Sequence, residues 1–208
     1  MPLYKEIKED SIRIIVWKIE EDLAFFEKNT SLKDSEKAEF ATFKNLRRKK
    51  EWLATRFILK HLTKNKAYTK DENGKPILID ESGYISIAHC INFAAVAFSS
   101  KVPIGIDIEP IHEKVARVAR KFLSEKELAF IEKDHQYLEN LTLAWTCKES
   151  IYKKYKVPGI SFAENIHVDF PTFKNAATTN VSLKKDDKLY VTKVRLLNIE
   201  NCILAYTI

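Results

Sequence analysis

Cysteine is scarce in this chain, and its placement excludes two common frameworks. Cys90, Cys147 and Cys202 are the only three in 208 residues, widely spaced and odd in number. No Cys-x-x-Cys pair and no Cys/His ligand spacing occurs, which argues against a structural zinc site. Scattered thiols suit a reducing compartment, so a cytoplasmic location is expected. Long apolar runs are missing as well. Lys5, Glu6, Lys8, Glu9 and Asp10 precede a short apolar stretch that reads as a first strand, not as a secretion signal. No segment is long enough to cross a membrane, and no membrane partner is expected.

The composition that remains, 45% hydrophobic and 31% charged, is that of a soluble globular protein. A formal charge of +6 and a pI near 9.0 favour acidic partners: nucleic acid, an anionic membrane or an acidic protein surface. Charge alone does not choose among them. A nucleic-acid-binding module would need an RNP-like aromatic string, a zinc spacing or a helix-turn-helix pattern, and none is present. Nucleic acid is therefore not expected as a partner.

Along the chain, Ser11–Ile19 is rich in Ile, Val and Trp and reads as a strand. A helical pattern runs from about Ser35 to Leu62. Asn73-Gly74 marks a turn, and strand-like segments follow at Ile77–Ile79, Tyr84–Ala88 and Phe93–Ser99. In the second half, Val115–Phe122 has helical spacing. Ser124-Glu125-Lys126-Glu127 forms a capping box, with Leu123 and Leu128 placed as a hydrophobic staple. Another helix spans about Leu138 to Tyr155 and closes at Pro158-Gly159. The remainder, Val181–Leu183, Leu189–Leu197 and Ile203–Ile208 around the turn Asp186-Asp187, reads as an antiparallel meander.

Two short segments carry the chemistry. In the first, Ile104, Ile106 and Ile108 alternate with Gly105, Asp107 and Glu109, so the isoleucines face the core and the two acids share the other side. Gly105 lies on the acidic side, where it would let a phosphate approach the backbone, and Pro110 ends the strand. Two ordinary surface acids on a solvated strand are the plain alternative. In the second segment, Trp145, Glu149 and Lys153 fall at i, i+4 and i+8 on one helix stripe, with Lys148 and Tyr152 in the next row. A surface ion pair worth about 0.3–0.5 kcal/mol would account for Glu149 and Lys153 but not for their neighbours. Three carboxylates and a lysine suit a magnesium ion beside a phosphorylated substrate.

Gly-Ile-Asp-Ile-Glu at 105–109, followed after a gap by Trp-Thr-Cys-Lys-Glu-Ser-Ile-Tyr-Lys at 145–153, resembles the signature of 4'-phosphopantetheinyl transferases. The halves are faintly alike too: Trp52 aligns with Trp145, Ile58 with Ile151 and Lys60 with Lys153, while Arg56 falls opposite Glu149. The resemblance is to the single-chain type that activates surfactin synthetase. It implies an α+β fold of two similar subdomains, each a helix packed on a small antiparallel sheet, related by pseudo-twofold symmetry. Residues 1–102 would form the coenzyme A nucleotide side and residues 103–208 the metal and catalytic side. The active site would lie in the cleft between them, in a monomer.

The resemblance further implies transfer of the phosphopantetheine arm of coenzyme A to a serine of an acidic apo acyl or peptidyl carrier protein, releasing 3',5'-ADP. Mg2+, or Mn2+ in its place, would be held by Asp107, Glu109 and Glu149. Glu149 would also act as the base, and Lys153 would contact the phosphate. Coenzyme A would be bound by Arg48, Arg56, the Gly74-Lys75-Pro76 loop, His89 and the backbone of Cys90. Ala88-His89-Cys90 departs from the family's usual Ser-His-Ser, so a hydroxyl donor is missing on each side of His89. Arg117 and Arg120 in Val115–Phe122 would steer the carrier. The rival readings are a coenzyme A-binding relative with impaired catalysis, a magnesium nuclease, and a basic nucleic-acid binder.

Overall fold

The computed structural model describes residues 3–131, 136–170 and 177–208 and divides into two compact units, Met1–Pro103 and Ile104–Ile208. The first unit begins with β1 (Leu3–Glu9) and β2 (Ile12–Lys18), continues through α1 (Leu23–Asn29), α2 (Asp34–Ala41) and α3 (Leu46–Leu62), and ends in β3 (Tyr68–Lys70), β4 (Pro76–Leu78), β5 (Tyr84–Cys90) and β6 (Phe93–Ser99). Its antiparallel sheet has the order β1-β2-β6-β5-β4-β3. Trp52, Leu53, Ile58, Leu59 and Leu62 of α3 are buried against Ile85, Ala94 and Val96 of the sheet.

The helical pattern expected from about Ser35 to Leu62 is divided between two helices, α2 and α3. Asn45 takes extended backbone and its side-chain oxygen accepts the Arg48 N–H at 3.2 Å, so a helix starts there and cannot run through from α2. Strand β1 precedes the apolar strand that the sequence suggests as the first. It shows water nearly every side chain, which leaves it without an apolar signature.

The second unit comprises β7 (Ile106–Pro110), α4 (Lys114–Phe122), α5 (Glu125–Ile131), α6 (Tyr137–Tyr155), α7 (Phe162–Asn165), β8 (Ile166–Val168), β9 (Thr178–Lys185), β10 (Lys188–Ile199) and β11 (Cys202–Thr207). Its antiparallel sheet has the order β7-β11-β10-β9-β8. The capping box forms as expected: Ser124 N–H donates to Glu127 Oε2 at 2.8 Å, and Glu127 N–H to Ser124 Oγ at 3.3 Å. Leu141, Ala144, Cys147 and Ile151 make the fully buried stripe of α6, and Lys156 ends it in the left-handed conformation.

The two units repeat one plan. In each, a strand leads into helices, one of them long (α3 and α6), and then a four-stranded meander whose final strand returns to pair with the first. Thus β2-β6-β5-β4-β3 matches β7-β11-β10-β9-β8 element for element, with β1 an addition at the edge. No helix among the described residues is long and apolar enough to cross a membrane.

Candidate active site

Strand β7 and helix α6 build the acidic centre. Gly105, just before β7, fixes how closely they meet: a Cβ there would lie 1.8 Å from the Ser150 carbonyl oxygen and 2.8 Å from the Lys154 nitrogen. The absent side chain therefore serves helix packing. The expected open backbone for a phosphate at Gly105 is not found, because α6 fills that space.

With the helix seated this way, its 145/149/153 stripe meets the odd-numbered side of β7. Lys153 Nζ donates to Asp107 Oδ1 at 2.7 Å, and the Trp145 indole N–H donates to Glu109 Oε1 at 3.2 Å. Ile104, Ile106 and Ile108 are fully buried, as their alternation predicts. Asp107 is only 5% exposed, and its Oδ2 has no hydrogen-bond partner. Burial and the Asp107 charge push the Glu109 carboxyl up to about 7; the same two causes, in the same order, push Glu149 up to about 7. Glu149 also lines a cavity of about 550 Å3 walled by Phe122, Trp145, Tyr152 and Phe162.

The donor set has the chemistry of a hard-cation site: crowded carboxylates that resist ionising together, one with an orphaned buried oxygen. Among the described residues, no three His, Cys, Asp or Glu side chains are set to hold a metal ion in this arrangement. The positive charge beside Asp107 here is the Lys153 ammonium.

Lys148, next to Glu149, is fully buried. Its Nζ donates to Glu127 Oε2 at 2.7 Å, to the Phe122 carbonyl at 2.7 Å and to the Phe162 carbonyl at 3.1 Å. Glu127 Oε1 in turn accepts the Val168 N–H at 3.0 Å. Burial lowers the Lys148 pKa, opposed by Glu127. This pair ties two walls of the Glu149 cavity to α6. The apolar residues at helical spacing from Lys148, among them Leu141, Ala144, Ile151 and Tyr152, and the capping-box glutamate are the sequence signals for this pair. Cys147 is buried too, and burial raises its thiol pKa. None of the three cysteines is in a disulfide.

In the first unit, Arg48 and His89 come together. The guanidinium Nη1 is in close hydrogen-bond contact with His89 Nε2, and His89 Nδ1 lies 3.3 Å from Glu51 Oε2. A guanidinium can only donate, so Nε2 accepts and the ring proton sits on Nδ1, facing Glu51. Ala88 and Cys90 are buried while His89 is half-exposed, so the residues flanking it point to the opposite face of β5.

Arg56 stands apart from that pair. Its guanidinium stacks on the Trp52 ring at 3.8 Å, donates to Thr55 Oγ1, and lies 3.9 Å from both Glu36 and Glu39. Gly74, Lys75 and Pro76 form the turn from β3 to β4. Asp71 Oδ1 accepts the N–H groups of Asn73 and Lys75, and Gly74 has φ +75°.

Comparison with known proteins bears on the same region. The model of the 4'-phosphopantetheinyl transferase superfamily matches residues 103–206. The 4'-phosphopantetheinyl transferase gsp of Aneurinibacillus migulanus is 31% identical over 108 residues, covering 50% of this chain and 45% of that protein. The 4'-phosphopantetheinyl transferase Sfp of Bacillus subtilis strain 168 is 32% identical over 112 residues, covering 49% of this chain and 48% of its own. The chain thus spans about half the length of the curated relatives it matches. The crystal structure of Thermotoga maritima holo-[acyl-carrier-protein] synthase overlays with a TM-score of 0.37 at 17% identity, over 51% of this chain and 61% of that one.

Proposed function

The chain belongs to the 4'-phosphopantetheinyl transferase superfamily, and from that premise we propose that it moves the phosphopantetheine arm of coenzyme A onto a serine of an acidic apo acyl or peptidyl carrier protein. The observation that carries this reading is the Asp107 centre. Burial, and next to it the Asp107 carboxylate with its orphaned oxygen, raise two neighbouring glutamates to pKa values of about 7.

In the reaction, the serine hydroxyl oxygen bonds to the phosphorus bearing the pantetheine arm, and the phosphoanhydride bond to 3',5'-ADP breaks. The serine proton must go to a base. Glu149, with a pKa near 7 and a face on the cavity, is the group assigned to take it. Magnesium, held by Asp107, Glu109 and Glu149, would supply charge neutralisation for the pyrophosphate oxygens. Lys153 pairs with Asp107 at 2.7 Å and is the cation assigned to the developing leaving charge. Trp145 fixes Glu109 through its indole N–H.

Arg48 and His89 are assigned the nucleotide's phosphate, with the Gly74-Lys75-Pro76 turn beside the base. Arg56 is already neutralised by Glu36 and Glu39, which favours a packing role over the phosphate contact that the resemblance implies. The exposed Arg117 and Arg120 of α4 are assigned to carrier docking.

The test is the intact mass of an apo carrier protein incubated with the chain, coenzyme A and magnesium, beside Asp107→Ala. A phosphopantetheine mass gain that needs magnesium and disappears in the variant supports the reading. No gain with several carriers, with coenzyme A still bound, would favour the catalytically impaired relative.

A further inference from the structure

The structure assigns a second, separate anion site to the first unit, at the C-terminal end of α3. We propose that it binds a small organic phosphate. A cavity of about 580 Å3 opens there, and its ionisable lining residues, Arg13, Lys60, His61 and Lys64, are all basic. The other two cavities described differ on this point: one includes Glu149 and the other includes Glu36 and Glu39.

Three observations make the cluster more than a solvated basic face. First, the side chains of Lys60, His61 and Lys64 make no hydrogen bond or ion pair among the described residues, although carboxylates elsewhere in the unit are extensively paired. Second, Arg13 Nε, on a lining residue whose Nη2 pairs with Glu6 at 3.1 Å, is buried and without a partner. Unsatisfied buried donors are uncommon and call for an occupant. Third, most of the last-turn carbonyls at this helix end are engaged by the chain itself. The carbonyls of Leu59, Lys60 and His61 are taken by the N–H groups of Thr63, Asn65 and Lys64, because the chain turns back through left-handed Lys64 and Asn65.

Phe57 forms an apolar wall of the cavity and is held by edge contacts to Trp17, Phe25 and Phe26. Clustered cations beside an aromatic wall suit a phosphate ester with an organic moiety better than a bare ion. The site is distinct from the Arg48–His89 pair. Lys60 is twelve residues beyond Arg48 on the same helix, about 18 Å of axial rise. It does not depend on the transferase reading.

The experiment is a two-dimensional 15N–1H NMR titration of the full chain at low salt. Pyrophosphate and adenosine 5'-diphosphate serve as probes, with wild type, Lys60→Ala/Lys64→Ala and His89→Ala compared. The expected result is saturable shifts at the amides of residues 60–65 in wild type and in His89→Ala. Affinity should weaken about tenfold or more in the double variant, in which half-buried Lys60 and exposed Lys64 give up no side-chain hydrogen bond or ion pair among the described residues. Tighter binding of the nucleotide than of pyrophosphate is the signature of the Phe57 wall. Absence of shifts at residues 60–65, or shifts unchanged by the double variant, overturns the proposal. Equal binding of the two probes overturns its organic part.

Discussion

Lys153 holds Asp107 by a 2.7 Å ion pair between the last turn of α6 and the middle of β7, while Asp107 Oδ2 is left without a partner. Asp107 is thus the charge around which the neighbouring groups titrate. Its negative charge raises both Glu109 and Glu149, and Lys153 opposes it at each. Asp107→Asn should lower both glutamate pKa values toward the ordinary carboxylate range. Side-chain 13C NMR titration of the metal-free protein measures this, and values that do not move would remove Asp107 from the centre of the site.

The same shifts set a pH dependence of stability. In the unfolded chain these carboxyls ionise near 4.5, but in the fold they hold their protons to about 7. Between those pH values the folded state binds more protons than the unfolded one, so stability falls as pH rises through the window and then levels off. Thermal unfolding in the presence of a chelator should show Tm declining from pH 4.5 to 7. Glu109→Gln/Glu149→Gln should flatten that decline.

The Lys148–Glu127 pair should behave as a buried ion pair. Lys148→Met leaves Glu127 buried and uncompensated and should cost about 3–5 kcal/mol, while Lys148→Met/Glu127→Leu should recover much of the loss. Denaturant unfolding of the two single variants and the double variant checks it. An additive cycle would mean that the pair is not coupled.

Gly105→Ala forces a methyl into the Ser150 carbonyl, a backbone atom that cannot step aside as a side chain would. Destabilisation of about 1–3 kcal/mol or more is expected, with the acidic residues displaced from α6. Loss of activity should therefore accompany a drop in Tm. Unchanged Tm would show that the β7–α6 approach is looser than described.

Charge reversal at Arg117 and Arg120 should reduce kcat/KM for the carrier by roughly tenfold or more, an effect that shrinks with added salt. KM for coenzyme A should stay constant. Equal losses for both substrates would place the arginines outside a docking surface.

The acidic strand, the motif helix, the capping box and the meander were all legible because each rests on a local period or cap. Residues whose role depends on distant neighbours were not. Lys148 stands among apolar helix neighbours, but only Glu127 and the carbonyls of Phe122 and Phe162 reveal why an ammonium can be buried there. Arg56 carries the same charge as the residues expected to bind phosphate, yet Glu36 and Glu39 from α2 meet it first. Strand β8, three residues long, is too short for a period to declare itself. Gly105 was noticed for its missing side chain, but a sequence does not say which object fills the gap.

The return of β11 onto β7 bears on how the protein is made. Strand β7 emerges from the ribosome early in its unit, but its ladder partner, Cys202–Thr207, comes last. Until then Asp107 and Glu109 ride on an unpaired strand, and the centre cannot assemble. A chain lacking β11 would therefore leave the β7 edge unpaired and Asp107 and Glu109 without the strand that fixes their register.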